Sequence, residues 1–169
     1  MPKQHTVVTT IMSNKGLALS LKDDGIACVH TPVGDWHVAE AMQKHHSLLG
    51  AEPSGHVLLF PWSTTSDALL VGLLTVASLV KHGEKKGSYQ RKWQKYATES
   101  INVALDGKSE SSIETLKDDV KQALDACNLE DAVVRQSGTE HTLRIHMQAL
   151  DTNRLEKAKS AVMHALQHA

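Results

Sequence analysis

The sequence lacks a charge imbalance, a pair of closely spaced cysteines and an apolar segment long enough to cross a membrane. Its 18 Lys and Arg nearly balance its 19 Asp and Glu, so no broad basic surface predicts nucleic acid or an anionic membrane as a partner. The longest apolar run, ALLVGLLTVASLV, is too short to span a bilayer and predicts a buried helix. Because the charges balance, any anion site must be formed by a few residues at one place and not by a broad basic surface.

The two cysteines stand far apart, without the spacing of a metal or redox motif. Cys28 and Cys127 fall within strand or helix patterns, which is typical of reduced packing residues. The first residues, MPKQHTVVTT, have no apolar core of a signal peptide. These features predict a soluble protein of the reducing cytoplasm.

A length of 169 residues suits one ordinary domain or two small ones. Residues 1–83 alternate short β-branched runs (TVVTTI, IACVHT, HVLLF) with helical ones (NKGLALSLKDDG, DWHVAEAMQKHH, STTSDALLVGLLTVASLVKHG). Asp35 is the predicted cap of the second helix, and one of Ser63, Thr64 and Thr65 that of the third. Strands that alternate with helices predict an α/β domain with a mainly parallel sheet.

Residues 84–97 lose this periodicity and gain charge, which predicts a partly helical linker. Its aromatic residues, Tyr89, Trp93 and Tyr96, are interleaved with cations, a pattern also found where proteins stack on nucleic-acid bases. A docked linker is the favoured interpretation, because no wider basic surface accompanies them.

Residues 98–169 combine three strand patterns (SINVAL, DAVVRQ, TLRIHMQAL) with two helical ones (SSIETLKDDVKQALDAC, DTNRLEKAKSAVMHALQHA). The first helix is expected to begin at a Ser cap that Glu114 reaches back to, and the second at Asp151. The pattern predicts a small α+β domain.

A Ser-Gly-Thr-Glu turn separates the last two strands, and an arginine stands on each side of it. In a hairpin, Arg135 and Arg144 reach the same end, where planar guanidinium groups can grip a phosphate. Gly138 is expected to adopt a positive φ that turns backbone N–H groups inward, and Ser137 and Thr139 add hydroxyl donors. The alternative is a plain hairpin with two solvated arginines.

A second polar loop, in LLGAEPSGHVLLF, precedes a buried strand. Polar groups at the mouth of an α/β sheet usually face a ligand crevice. The Glu52 carboxylate can accept hydrogen bonds from neighbouring sugar hydroxyls, beside Ser54 and His56. The alternative is a loop whose Glu and His only cap nearby backbone groups.

Together these segments resemble the α-D-phosphohexomutase family, and most of all its phosphoglucosamine mutase branch. They are TVVTTIMSNKGLALSLKDDGI, TPVGDWHVAEAM, GAEPSGHVLLF, STTSDALLVGLL and VVRQSGTEHTLRIHMQA, in the family's order and at nearly its spacing. They cover almost the whole chain. The amino-sugar branch is indicated by MSN and VGD in addition to the shared loops.

The resemblance implies the C-terminal half of a four-domain enzyme with a central cleft: the greater part of domain 3 and all of domain 4. It assigns sugar contacts to Glu52, Ser54 and His56. It assigns the substrate phosphate to five residues of the hairpin: Arg135, Ser137, Gly138, Thr139 and Arg144. Domain 3's first βα unit would be absent, so that the remaining strands close up or leave a sheet edge open to another chain.

The sequence departs from the family pattern at four positions. Trp36 and His37 replace the usual Arg and Tyr, Ser66 replaces Gly, and His141 replaces Pro. The phosphate grip survives these changes, whereas the loop around Asp35 is expected to differ in shape or specificity.

The family's catalytic Ser-His-Asn-Pro loop and its Mg²⁺-binding Asp-x-Asp-x-Asp loop are absent from this sequence. The chain is therefore expected to bind a hexose phosphate such as glucosamine 6-phosphate, with no cofactor of its own, and not to complete the mutase reaction alone. Whether it acts as an enzyme is left open. The alternatives are a non-enzymatic interaction module and one chain of a split enzyme that needs a complementary N-terminal half.

Overall fold

The computed structural model describes residues 5–60, 62–81, 83, 93–129 and 131–168. The chain divides into two compact units, Met1–Gln94 and Lys95–Ala169. Of the predicted linker 84–97, residues 84–92 lie outside the described residues, and its extent stays a prediction. Trp93 and Gln94, at the end of the first unit, lie against Gly16.

The first unit is a four-stranded sheet with three helices. Its elements are β1 (Thr6–Thr10), α1 (Lys15–Asp23), β2 (Ala27–Thr31), α2 (Asp35–Lys44), β3 (Leu49–Ala51), β4 (Val57–Leu59) and α3 (Ala68–Lys81). The strand order is β2-β1-β3-β4. Strand β1 pairs in parallel with β2 and β3, and β4 pairs antiparallel with β3.

Strand β1 has a hydrogen-bonded neighbour on each side, so no open position lies beside it. Because β1, β2 and β3 are parallel, the loops that follow them lie along one edge of the sheet, where α/β folds bind ligands.

The core of the first unit lies between the sheet and α2. Val38 and Met42 of α2 pack on Val8 and Leu58. The chain crosses from β1 to β2 on one side, and then from β2 back past β1 to β3 on the other. Because such crossovers are right-handed, α1 and α2 lie on opposite faces of the sheet.

Strand β3 was not predicted from the sequence, where its residues were assigned to a turn-rich loop. It is only three residues long, and its middle residue is Gly50. A Cβ at Gly50 would lie 2.6 Å from a methyl carbon of Val38 and would also overlap Met42. Close packing of α2 therefore requires glycine in a strand that glycine would otherwise weaken.

The prediction that α3 is a buried helix is wrong. None of its described side chains is buried, and the large apolar residues along one stripe are mostly solvent-exposed. An apolar run of this length predicts burial by composition alone, but within the described chain no element covers that side.

Two predicted caps are also wrong. Helix α2 begins at Asp35 with Gly34 in the cap position and no side-chain cap bond, because the Asp35 carboxylate accepts instead from the N–H of Trp36 at 2.8 Å. At α3, the cap is Asp67, whose carboxylate accepts from the N–H of Leu70 at 3.0 Å. The hydroxyl of Ser63 bonds within the preceding turn.

The second unit is a three-stranded antiparallel sheet covered by two helices on one face. Its elements are β5 (Ala97–Ala104), α4 (Glu110–Ala126), β6 (Asp131–Gln136), β7 (Thr142–Ala149) and α5 (Thr152–His168), with strand order β5-β7-β6. Leu143, Ile145 and Met147 of β7 are buried in one core with apolar residues of both helices. The alternate residues of β7 lie on the other face.

The cap of α4 is Ser109, which accepts from the N–H of Ser112 at 3.2 Å. The predicted reach of Glu114 back to a serine cap is wrong, because Glu114 forms an ion pair with Lys117 at 2.6 Å. Asp151 does cap α5, accepting from the N–H of Asn153 at 2.9 Å.

The predicted fold class is confirmed: a mainly parallel α/β sheet is followed by a small α+β unit. Both cysteines are free and half-buried, and burial raises the pKa of the Cys28 thiol. Among the described residues, no helix has the length and apolarity to cross a membrane. A cytoplasmic location stays a prediction.

We expect Gly50→Ala to lower the free energy of unfolding by about 1–3 kcal/mol, because the added methyl group overpacks the contact with α2. Urea denaturation measures the change. The matched control is Gly72→Ala in α3, where an added Cβ meets nothing within 4 Å and alanine should be neutral or stabilise by about 0.5–1 kcal/mol. Equal stability of Gly50→Ala and the wild type would contradict the packing described.

Candidate functional site

The predicted sugar loop, residues 52–56, is the turn that joins β3 to β4. The N–H of Glu52 donates to the carbonyl of His56 at 2.8 Å, and the N–H of Gly55 donates to the carbonyl of Glu52 at 3.0 Å. Gly55 has a φ of 99°, a conformation that glycine adopts without steric cost. The loop is thus a closed turn at the sheet edge where β3 ends.

Glu52 lies beneath this turn, and Ser54 and His56 form its surface. The Glu52 side chain is only 6% exposed, its Oε2 lies 3.7 Å from Nδ1 of His56, and His56 itself is 54% exposed. The Ser54 hydroxyl lies 3.0 Å from the same Nδ1. The structure therefore brings the three predicted sugar-loop residues together.

The Glu52 carboxylate also joins this turn to the loop between β2 and α2. Its Oε1 accepts from the N–H of Gly34 at 3.0 Å, and Gly34 has a φ of 130°. Trp36, two residues further on, is 73% exposed. Sequence reasoning missed this link, because no local pattern reports a bond between residues 18 positions apart.

The last residues of β1 and β2, together with the loop after β1, contribute buried hydroxyl groups near the same edge. Thr9, Thr10, Ser13 and Thr31 are all buried, Thr9 Oγ1 bonds to Ser13 Oγ, and Thr31 Oγ1 donates to the carbonyl of Thr9 at 3.3 Å. These bonds satisfy polar groups that would be costly to bury alone. The threonines within the otherwise apolar segment TVVTTI were the available signal for Thr9 and Thr10.

In the second unit, the predicted phosphate loop is the hairpin turn between β6 and β7. The N–H of Ser137 donates to the carbonyl of Thr142 at 2.8 Å. Gly138 is not among the residues with positive φ, so the expected inward-turned backbone at this glycine is wrong. A Cβ at Gly138 would meet nothing within 4 Å, which leaves the backbone of the turn open to approach.

Arg135 and Arg144 are directly opposite each other in the β6–β7 register. Like charges at such a pair destabilise a sheet. Arg144 is neutralised by Glu140 at 2.7 Å, whereas burial, and secondarily the charge of Arg144, lower the pKa of Arg135. The Nε atoms of both arginines are buried with no hydrogen-bond partner among the described residues.

This arrangement is a local concentration of positive charge with unused donors. Buried N–H donors normally have hydrogen-bond partners, so buried donors without one need an explanation. An oxyanion held between the guanidinium groups would both screen their repulsion and accept hydrogen bonds from them.

His146 extends the polar face of this sheet and was missed in the sequence, although the alternation of β7 places it on the same side as Arg144. The Ser100 hydroxyl lies 2.9 Å from its Nδ1, and its Nε2 is buried without a partner in the described chain. Burial lowers the pKa of His146, and the negative charge of Asp131 partly opposes this.

Within the part of the chain that the structure describes, no group of three or more His, Cys, Asp or Glu side chains is placed to hold a metal ion.

A sequence profile of phosphoglucomutase/phosphomannomutase, alpha/beta/alpha domain III, matches residues 1–96. The chain belongs to this family. The α-D-phosphohexomutase resemblance is confirmed, with the family's domain III forming the first part of the chain.

Curated relatives agree on the branch. The chain is 38% identical over 152 residues to the phosphoglucosamine mutase of Lacticaseibacillus casei, covering 87% of this chain and 33% of the relative. It is 37% identical to the phosphoglucosamine mutase of Hyphomonas neptunium, covering 90% of this chain and 34% of the relative. The chain thus spans about a third of the length of these relatives.

Solved structures share the fold. An N-acetylglucosamine-phosphate mutase in a substrate complex, a member of the α-D-phosphohexomutase superfamily, matches with a TM-score of 0.76 at 16% identity, covering 98% of this chain and 39% of that chain. Aspergillus fumigatus N-acetylphosphoglucosamine mutase in complex with GlcNAc-6P and magnesium matches with a TM-score of 0.71 at 15% identity, covering 96% of this chain and 41% of that chain.

We expect Glu52→Ala to lower the free energy of unfolding of the first unit by about 1–3 kcal/mol, because the Gly34 N–H loses its charged acceptor. Glu52→Gln, which keeps an amide oxygen at that place, is the matched control and should lose less. Hydrogen exchange at the Gly34 amide checks the local effect. Unchanged protection in Glu52→Ala would show that the bond does not hold the loop.

We expect the stability of the chain to fall as the pH drops below about 6.5, in part through His146. Its folded-state pKa lies below the unfolded value, so the unfolded state binds more protons in the interval between them and stability rises with pH there. His146→Gln should show a shallower loss in thermal unfolding between neutral and mildly acidic pH. His141→Gln, on the exposed hairpin turn, is the control, and equal slopes for all three proteins would remove His146 as a cause.

Proposed function

We propose that this chain is the sugar-phosphate-recognising part of a phosphoglucosamine-mutase-like enzyme. It binds a hexose phosphate such as glucosamine 6-phosphate and does not complete the mutase reaction by itself. The phosphate is assigned to the β6–β7 hairpin and the sugar hydroxyls to the β3–β4 turn.

The observation that carries this proposal is the Arg135–Arg144 pair. Two guanidinium groups stand in direct cross-strand register, Arg144 is paired with Glu140, and the Nε atoms of both arginines have no hydrogen-bond partner among the described residues. Together these features favour an anion between them. A plain solvated hairpin would not need to retain a destabilising pair of like charges. Ser137, Gly138 and Thr139 then supply hydroxyl donors and an open backbone at the turn.

The β3–β4 turn supports the sugar half of the proposal. One Glu52 oxygen is committed to Gly34, which fixes the carboxylate and leaves Oε2, near His56, as the acceptor for a sugar hydroxyl. Ser54 and His56 lie at the surface of the turn, where a ligand can reach them. Preorganised acceptors of this kind favour binding because little ordering is required on association.

The absence of the Ser-His-Asn-Pro and Asp-x-Asp-x-Asp loops from the sequence supports binding without turnover. Phosphoryl transfer depends on positioning and on stabilisation of developing charge by groups and metal ions around the phosphate. A complementary N-terminal half would have to supply those loops. The relatives of this chain, which are about three times as long, are named as mutases.

The departures around Asp35 favour a change of sugar specificity. Trp36 places an exposed indole in the loop that Glu52 holds, where the family usually has arginine. An aromatic face can pack on the apolar face of a sugar ring, whereas an arginine would favour a charged substituent. The preferred hexose is therefore expected to differ from that of relatives with arginine at this position.

We expect calorimetric titration with glucosamine 6-phosphate to show saturable binding that Arg135→Ala weakens by about 1.5–3 kcal/mol, the range for a hydrogen bond to a charged group. Glu52→Gln should reduce affinity for the sugar phosphate but not for inorganic phosphate, which separates the two loops. Arg154→Ala, on α5, is the control for a general loss of positive charge. Equal affinity of Arg135→Ala and wild type, or no binding at millimolar ligand, would overturn the assignment.

A further inference from the structure

The arginine pair of the second unit has a histidine beside it on the same face of the sheet. Ile145 of β7 is buried against the helices, so its neighbours Arg144 and His146 lie on the other face, about 7 Å apart along the strand. Arg135 of β6 stands directly opposite Arg144, which makes it a diagonal neighbour of His146. His146 is not among the residues that the sequence assigns to the phosphate.

Three buried side-chain nitrogens mark this face. Among the described residues, the buried side-chain nitrogen and oxygen atoms without a hydrogen-bond partner are Nε of Arg135, Nε of Arg144 and Nε2 of His146. Such atoms are rare in folded proteins and need an explanation. Because all three belong to neighbouring positions of one sheet face, they favour one ligand that acts on the three groups together.

Ser100 of β5 holds the imidazole ring of His146 in place. It stands opposite His146 in the strand register, and its hydroxyl lies 2.9 Å from Nδ1. A hydroxyl can donate to Nδ1 of the neutral ring and can accept from the N–H of the charged ring. In both of these bonded states Nε2 carries a hydrogen, so the ring can change its charge without losing its orientation.

The surroundings of His146 favour the neutral ring in the free protein. The charged groups on this face and its turn are Asp131 and Arg135 of β6, Glu140 of the turn and Arg144 of β7, and β5 contributes the uncharged Thr98, Ser100 and Asn102. Burial lowers the pKa of His146, and the charge of Asp131 partly opposes this. At neutral pH the two arginines are therefore spared a third positive charge.

A bound anion reverses this balance. A nearby negative charge favours the charged form of a histidine, and water screens the charge of a half-buried ring only weakly. The protonated ring in turn attracts the anion. The proton and the anion then strengthen each other's binding by the same factor, as linkage requires.

We propose that His146 is the third cationic group of the phosphate site and takes up a proton when a doubly charged oxyanion binds. The inference rests on the proposed function and adds a regulation by pH to it. Affinity for the anion rises as the pH falls from the pKa of His146 in the occupied site to its lower pKa in the free protein. Outside that interval the protonation of His146 is the same in both states, and the affinity is level.

The first test follows the ring signals of His146 by NMR in the full chain as the pH is varied between about 5.5 and 8. Sulfate is the probe, because it stays doubly charged over this range, whereas phosphate groups titrate within it. We expect saturating sulfate to raise the pKa of His146 by about one unit or more relative to sodium chloride of equal ionic strength. The ring of His30, on β2 of the first unit, is the internal reference and should titrate identically in both salts.

The second test measures the affinity for sulfate over the same range of pH, through the amide signal of Gly138. The wild type should bind about tenfold more tightly at the acidic end for each unit by which sulfate raises the pKa of His146. His146→Gln should show a level affinity, equal to that of the wild type at the alkaline end. His30→Gln is the matched control and should keep the pH dependence of the wild type, and circular dichroism establishes that each variant is folded.

The results separate this inference from the proposed function. Sulfate binding that Arg135→Ala weakens, with His146 titrating alike in both salts, would keep the arginine site and remove His146 from it. A pH dependence that persists in His146→Gln would assign the proton to another group. Absence of saturable sulfate and phosphate binding to the wild type at any pH would overturn the phosphate site and this inference together.

Discussion

The parallel pairing of β1 with both β2 and β3 is the constraint on which the first unit depends. It directs three connecting loops to one edge of the sheet, and right-handed crossovers then distribute α1 and α2 over opposite faces. Gly50 lets α2 pack tightly on the central strands. The Glu52 turn and the Gly34 loop meet because of this topology, not because of their separation in sequence.

In the second unit, the register of the β6–β7 hairpin places the two cations Arg135 and Arg144 side by side. Native sheets usually avoid such pairs, and an isolated hairpin would be more stable with one of them replaced. The repulsion, which the Glu140 carboxylate reduces, is understandable if the pair serves recognition of an anion at some cost to the fold. Local instability of this kind is common where proteins bind ligands.

Most helices and strands were predictable from sequence, because periods of 3.6 and 2 are visible in segments as long as α4 and β7. Strand β3 was not predictable, because three residues are too few to show a period and because Gly50 is explained by its packing contact with α2. The predicted caps of α2 and α3 failed for a similar reason, because Asp35 and Asp67 each lie among other polar residues that are equally good candidates by composition. Burial of α3 failed because apolar composition does not state which element will cover a helix.

The residues of both loops were predictable as sets, but not their internal bonds. The sequence predicts that the Glu52 carboxylate accepts from sugar hydroxyls, and in the structure one of its oxygens accepts from the backbone N–H of Gly34, just before α2. That bond has a mechanical consequence. Because the Glu52 carboxylate holds the Gly34 amide, the loop that carries the exposed Trp36 indole is anchored to the β3–β4 turn and cannot shift independently of it.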